Sequence, residues 1–303
     1  MRLFLIFTLG AAAALSSAGA HAALNVFACE PEWATLAKEL GGDKVSVFQA
    51  ITAQQDAHRV EARPSLMARA RSADLLVCTG AELEISWLPL LLRSAGNRKI
   101  QLGQPGNFAA ADLVAKIEVP ARLDRSEGDV HPYGNPHIHL DPRNVSRIAR
   151  ALGERLAEVD PANAAHYQAR TADFLARWGK TIPQWEAQAA ALKGMRVVSH
   201  HKDYNYLFNW LGMESSMSLE PKPGLQPSVA YLGELLGKLK TEPAEAITRS
   251  VYSDPKPSAW LSERAKLPVV VLPYTVGGTQ EAKDLFGLFQ DSIDRLINTR
   301  NPG

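Results

Sequence analysis

The chain has 303 residues, 33 basic and 32 acidic side chains, and a formal net charge of +1. This near-neutral balance argues against nucleic acid or an anionic membrane as the main partner, because such partners are bound by clustered positive charge. The length is sufficient for two domains of ordinary size.

The first residues predict a secretory signal peptide at residues 1–22. Arg2 gives a positive start, residues 3–15 form an apolar run, and Ala20-His21-Ala22 fits an A-x-A cleavage pattern. The apolar run is too short to span a membrane as a helix. We therefore expect a secreted chain that begins near Ala23, without a lipid anchor because no cysteine stands at the cleavage site.

Strand and helix patterns alternate along the rest of the chain, which predicts parallel sheets built from β-α units. In the N-terminal half we predict strands over 24–29, 45–51, 75–78 and 114–119, and helices over 32–40, 64–71, 83–93 and 143–159. In the C-terminal half we predict strands over 195–199, 246–252 and 268–272, and helices over 204–211, 228–239, 258–266 and 279–298.

A long helical pattern separates the two halves. It opens at Asp160-Pro161 and reaches about Lys193, and Pro183 inside it should kink or split the helix. The sequence therefore predicts an N-terminal lobe (23–159), a connecting helix (160–193) and a C-terminal lobe (194–303).

Cys29 and Cys78 are the only cysteines, and each ends a predicted strand. In an oxidising compartment an isolated pair is more often a disulfide than a metal site. If the two strands are neighbours, a bridge between them is geometrically feasible. Cys29–Cys78 is therefore the candidate disulfide.

Histidines stand where predicted strands end or where the next helix begins. His58 follows one strand, His137 precedes a helix, and His200-His201 ends a strand of the second lobe. In open α/β sheets, ligands bind outside the carboxyl ends of strands. Neutral imidazoles favour zinc, copper, iron or nickel over calcium or magnesium. The pattern predicts a transition-metal site built by both lobes.

Three sequence blocks carry a family resemblance. They are Gln55-Asp56-Ala57-His58, Asn135-Pro136-His137 with the following Asp141-Pro142, and Val198-Ser199-His200-His201 with the following Tyr204 and Tyr206. In this order they resemble the ligand blocks of zinc/manganese-type periplasmic solute-binding proteins of ABC importers (cluster A-I, zinc-uptake-like). The third family block has aromatic residues three and five positions after its histidine, which selects His201 over His200.

The resemblance implies an α/β fold of two Rossmann-like lobes joined by a long rigid connecting helix. His58, His137 and His201 would hold the ion between the lobes. The protein would be a non-catalytic periplasmic monomer that delivers Zn²⁺, rather than Mn²⁺ or iron, to the membrane permease of an ABC importer. A periplasmic metallochaperone is a further expected partner.

A fourth ligand is less clearly marked. The family places an acidic ligand in the second lobe, but the matching stretch at 272–278 contains no carboxylate. Asp254, Glu220 and His139 are the candidates, and each has a simpler interpretation: a helix cap, a solvated loop residue and a partner that orients a ligand, respectively. His131, in a loop with Asp124, Glu127 and Asp129, is interpreted as a surface histidine near the entrance.

Two alternatives compete with this interpretation. The first is a zinc metallohydrolase, because His137-Ile138-His139-Leu140-Asp141 matches an H-x-H-x-D pattern, although Pro142 follows where that motif has a histidine. The second is the same fold carrying a siderophore, haem or cobalamin, which would need a broad aromatic or basic cleft. The three histidine blocks favour a small ion.

Overall fold

A computed structural model of the protein describes residues 22–121, 128 and 131–300. The signal peptide predicted at 1–22 therefore lies outside the described residues except for Ala22, and Asp124, Glu127 and Asp129 lie outside them as well. The described chain forms two four-stranded parallel sheets, in the orders β2-β1-β3-β4 and β6-β5-β7-β8. The predicted α/β class with two lobes is confirmed.

The first sheet and its helices come from the N-terminal half. The strands are β1 (Leu24–Ala28), β2 (Val45–Gln49), β3 (Leu75–Cys78) and β4 (Asn107–Ala109), and the helices are α1 (Pro31–Gly41), α2 (Pro64–Arg71), α3 (Leu88–Ala95) and α4 (Pro142–Val159). All four strands run parallel, so their carboxyl ends share one edge of the sheet.

Two predictions for this half are wrong. The stretch 114–119 is not a strand, and the sheet instead ends at β4, whose three residues are too few to show a periodic pattern. The helix predicted over 83–93 begins only at Leu88, because residues 83–87 form turns and Trp87 caps the helix with a φ of −136°, outside the helical range.

The connecting helix α5 (Ala164–Gln188) is 25 residues long, which corresponds to about 37 Å. It continues through Pro183 without a break. Trp178 stacks on Phe174 and donates from its indole nitrogen to the Pro142 carbonyl at the start of α4. On the other side, Trp185 stacks on Phe289 of the C-terminal lobe, with 5.3 Å between ring centroids. The helix is thus packed against both lobes, as a rigid connection requires.

The second sheet is built in the same way. Its strands are β5 (Arg196–Ser199), β6 (Glu214–Ser218), β7 (Ala246–Ser250) and β8 (Val269–Leu272), and its helices are α6 (Asn205–Leu211), α7 (Val229–Lys238), α8 (Pro255–Ala265) and α9 (Leu285–Arg300). The polar edge strand β6 was not predicted, because serine and glutamate are poor strand signals. One buried apolar cluster continues from Val26 through Trp178 to Val197 and Leu272, so the two lobes share a core.

Cys29 and Cys78 form a disulfide, as predicted. Cys29 directly follows β1 and Cys78 ends β3, and these strands are hydrogen-bonded neighbours. No helix in the described part of the chain combines the length and the apolar character that a membrane span needs.

Candidate metal centre

Three histidine side chains meet between the lobes. His58 lies in the short 3-10 turn Ala57–Arg59 after β2, His137 precedes the 3-10 turn Ile138–Leu140, and His201 follows β5. One ring nitrogen from each lies within 4.8 Å of the other two. The Nε2 atoms of His137 and His201 are 3.4 Å apart. The structure therefore brings together the three histidines that the sequence singled out, and we call them the histidine triad.

Carboxylates hold the outer nitrogens of two triad rings. His58 Nδ1 is 2.7 Å from Asp56 Oδ1, and His201 Nδ1 is 2.6 Å from Glu220 Oε2. A carboxylate that accepts a hydrogen bond from Nδ1–H favours the tautomer in which Nε2 is unprotonated, with its lone pair available to an ion. Glu220, predicted as a possible ligand, thus contacts the far side of a triad ring.

These contacts also shift the pKa values of the carboxylates and of His201. Burial alone would raise the pKa of Asp56 and of Glu220, but their hydrogen bonds with His58 and His201 outweigh it, and both pKa values are lowered. Burial would lower the pKa of His201, but the hydrogen bond with Glu220 and the charge of Asp203 raise it. Two carboxylates therefore lie ready to balance the charge of a bound cation.

Tyr274 contacts the outer nitrogen of the third ring. It lies in the stretch where a family carboxylate was expected, and its hydroxyl is 2.7 Å from His137 Nδ1. Burial and the neighbouring imidazoles lower the pKa of His137 well below its usual value, which favours the neutral ring. Neither Tyr274 nor Asp56 was identified from the sequence, because each acts through a contact that only the folded chain reveals.

The structure does not bring His139 into the triad. Its Nε2 hydrogen-bonds the Tyr274 carbonyl oxygen at 2.9 Å, and its Nδ1 is 3.4 Å from Glu32 Oε1 in a fully buried pair. Asp141 instead caps α4 through the Arg143 amide. The residues of the H-x-H-x-D pattern therefore point to different partners and form no common site.

Asp254 is likewise placed by the helix that follows it. Its Oδ1 accepts a hydrogen bond from the Lys256 amide at 3.0 Å, which makes it the N-cap of α8. This is the simpler role that an aspartate before a proline predicts. It lies at the wall of the cleft beside the triad, with His200.

A fourth histidine lies beside the triad. His131 Nε2 is 3.0 Å from His58 Nε2, and the two ring centroids are 5.1 Å apart. Burial and the charges of His58 and His201 lower the pKa of His131 to about 4. The interpretation of His131 as a simple surface histidine missed this contact, and only its position six residues before His137 hinted at it.

The family of the zinc-uptake complex component A, periplasmic (ZnuA), matches residues 26–299. The chain belongs to this family. It is therefore a metal-binding substrate-binding protein of an ABC importer, a transport component that works with a membrane permease and its ATPase and is not an enzyme.

Individual relatives differ in the metal they are named for. The chain is 22% identical to the metal ABC transporter substrate-binding lipoprotein SloC of Streptococcus mutans, over 96% of this chain and 94% of SloC. It is 23% identical to the manganese ABC transporter substrate-binding lipoprotein PsaA of Streptococcus pneumoniae, over 89% and 85%. It is 22% identical to the iron ABC transporter substrate-binding lipoprotein MtsA of Streptococcus pyogenes, over 93% and 92%.

Solved structures show the same fold. A crystal structure of ZnuA matches with a TM-score of 0.73 at 20% identity and covers 92% of this chain and 100% of that chain. A cadmium-bound periplasmic metal-binding protein from candidatus liberibacter asiaticus matches with a TM-score of 0.73 at 17% identity, over 91% and 99%. The predicted two lobes with a long connecting helix are those of this structural group.

Tyr274→Phe tests the hydrogen bond that orients His137. Loss of the hydroxyl leaves a buried ring nitrogen without its partner, and loss of such an outer contact lowers metal affinity by about 10- to 100-fold. Zinc affinity measured against a competing chelator checks this. Tyr252→Phe is the matched control, because its ring centroid lies 5.4 Å from that of Tyr274 but its hydroxyl bonds to Ser250. Equal affinities for the two variants would contradict the orienting role.

Proposed function

We propose that this protein binds zinc in the periplasm and delivers it to the permease of an ABC importer, with His58, His137 and His201 as ligands. The observation that supports this is the convergence of three imidazole nitrogens within 4.8 Å from both lobes. Zinc–nitrogen bonds of about 2.0–2.1 Å in a tetrahedron require nitrogens about 3.3–3.4 Å apart. The 3.4 Å between His137 and His201 matches that edge.

The donor atoms favour zinc over manganese. Imidazole nitrogens suit zinc, copper, iron and nickel, whereas manganese is held mainly by carboxylate, carbonyl and water oxygens. The carboxylates nearest to the triad, Asp56 and Glu220, already accept from the outer nitrogens of His58 and His201. The atoms available to coordinate the ion are therefore imidazole nitrogens, although PsaA is named for manganese and MtsA for iron.

The connecting helix limits how far the two lobes move relative to each other. We divide the chain into a lobe at 23–159, a connection at 160–193 and a lobe at 194–303, which follow a signal peptide at 1–22. Because His58 and His137 belong to the first lobe and His201 to the second, a bound ion would hold the lobes together. The aromatic packing of Trp178 and Trp185 limits that movement to a small tilt.

An ion has a direct path to the triad. A cavity of about 360 Å³ lies beside it, open to solvent on one side and bordered by His58, His201, Glu220 and Asp254. Carboxylates along this path attract a cation, since opposite charges lower its energy in a cleft. Broad aromatic or basic lining, which a haem or siderophore would need, is not a feature of this cavity.

A competition titration tests the proposed cargo. Metal-stripped protein is titrated with zinc in the presence of a chelator of known affinity, and then challenged with manganese and ferrous iron. We expect one tight zinc site that a large excess of manganese does not displace. Manganese or iron bound as tightly as zinc would contradict zinc as the cargo and leave the family assignment unchanged.

A further inference from the structure

We propose that His131 supplies the fourth ligand, so that a bound zinc ion is held by four imidazoles. This assignment rests on the proposed function, and it replaces the acidic ligand that the resemblance leads one to expect.

The first support is geometric. His131 Nε2 faces His58 Nε2 at 3.0 Å, close to the edge of about 3.3–3.4 Å that two nitrogens share around a tetrahedral zinc ion. The two Nε2 atoms face one another, so a cation at the triad would be within reach of both lone pairs. His131 lies outside the set of nitrogens that are all within 4.8 Å, so its ring must shift inward from the side of His58.

The second support is the backbone around His131. Its ring hydrogen-bonds the backbone of Ala81, a residue with a φ of 51° in the turn after β3. Its carbonyl oxygen accepts from the Gly134 amide at 3.1 Å, in a turn that Gly134 permits with a φ of 99°. The next residue, Asn135, donates from its amide to the Ile117 carbonyl oxygen at 2.8 Å. The ring is thus oriented on one side and its segment anchored on the other.

The third support comes from the competing donors. Tyr274 occupies the stretch expected to bring a carboxylate, and its hydroxyl is engaged with His137. Asp56 and Glu220 are held by the outer nitrogens of two triad rings, and Asp254 caps α8. Among the residues that the structure describes, His131 is the remaining side chain whose ring nitrogen lies within 3.0 Å of a triad Nε2 and which no other role claims.

The test is His131→Ala, compared with His166→Ala. His166 is also a half-buried histidine, but it lies on α5, and its Nε2 donates to the Gly41 carbonyl oxygen and faces Asp43 rather than the triad. X-ray absorption of the zinc-loaded proteins counts imidazole ligands, and chelator competition gives affinity. We expect four imidazoles in the wild type and in His166→Ala, and three in His131→Ala.

The affinity of His131→Ala for zinc should fall by at least about 10-fold. Loss of a residue that only orients a ligand already lowers metal affinity by about that much, and His131 would contact the ion itself. One zinc per chain should still bind, since the triad remains. Three imidazoles in the wild type, or an unchanged affinity in His131→Ala, would overturn the assignment and leave the triad proposal intact. A wild-type protein that binds no zinc would overturn both. Unfolding of the metal-stripped variants shows whether either substitution disturbs the fold.

Discussion

We expect His201→Ala to lower zinc affinity by about 100-fold and His200→Ala, at the adjacent position, to leave it essentially unchanged. Zinc bound by four ligands contributes about 12 kcal/mol in small zinc domains, so each ligand accounts for about 3 kcal/mol, or roughly 100-fold in affinity. His201 is the only triad member from the second lobe. Its loss therefore also removes the link through which an ion joins the lobes.

His200 is a well-matched control, because its backbone rather than its ring fixes its position. Its amide donates to the Thr248 carbonyl oxygen at 2.7 Å, and its carbonyl oxygen accepts from the Ser218 hydroxyl and the Glu220 amide. Its side chain is only 3% exposed and borders the cavity. Both variants should be titrated with zinc against the same chelator at one pH. If His200→Ala loses binding and His201→Ala keeps it, the register of the third block is wrong by one residue.

The sequence predicted the triad because parallel strands impose a simple rule. Carboxyl ends of parallel strands meet at one edge, so polar residues that follow different strands become neighbours. His58 and His201 follow strands of the two sheets, and the two edges face one another across the cleft. The family blocks then supplied the register that selects His201 over His200.

The contacts around the triad follow no such rule. His137 and Tyr274 are 137 residues apart, and their hydrogen bond depends on how two lobes pack, which no local pattern encodes. His131 and His58 both belong to the first lobe, but they are 73 residues apart and meet only when that lobe folds. Weak strand signals explain the errors in the sheets, since β4 is too short and β6 too polar to be recognised.

A buried pair of acidic side chains was also not predicted from the sequence. Glu30 and Glu84 are both buried beside Thr79, whose amide donates to Glu84 Oε1 at 2.8 Å. Burial raises the pKa of Glu84 to about 7 and the pKa of Glu30 well above its usual value. Glu30 follows Cys29, and Thr79 follows Cys78, so the disulfide holds this acidic pair in place from outside the metal centre.

Removing the disulfide with Cys29→Ala/Cys78→Ala should therefore lower the free energy of unfolding by about 4 kcal/mol, as loop-closure entropy predicts for cysteines 49 residues apart. Urea unfolding of the metal-stripped protein measures this. Reduced wild-type protein is the control, because it loses the cross-link but keeps both buried sulfur atoms. If the double variant and the reduced wild type lose the same free energy of unfolding within about 1 kcal/mol, the cross-link accounts for the loss, because a small core truncation adds about that much. A loss below about 1 kcal/mol in the double variant would contradict the prediction.

Metal-stripped protein is essential to that measurement, because bound zinc would conceal the loss. A ligand at 1,000 times its dissociation constant stabilises the folded state by about 4.1 kcal/mol, which equals the contribution expected from the disulfide. None of the triad residues directly follows β1 or β3, so the double variant should still bind zinc with nearly wild-type affinity. Excess zinc should then return its unfolding midpoint close to that of the metal-stripped wild type. Failure of zinc to do so would mean that the disulfide shapes the metal centre as well as the sheet.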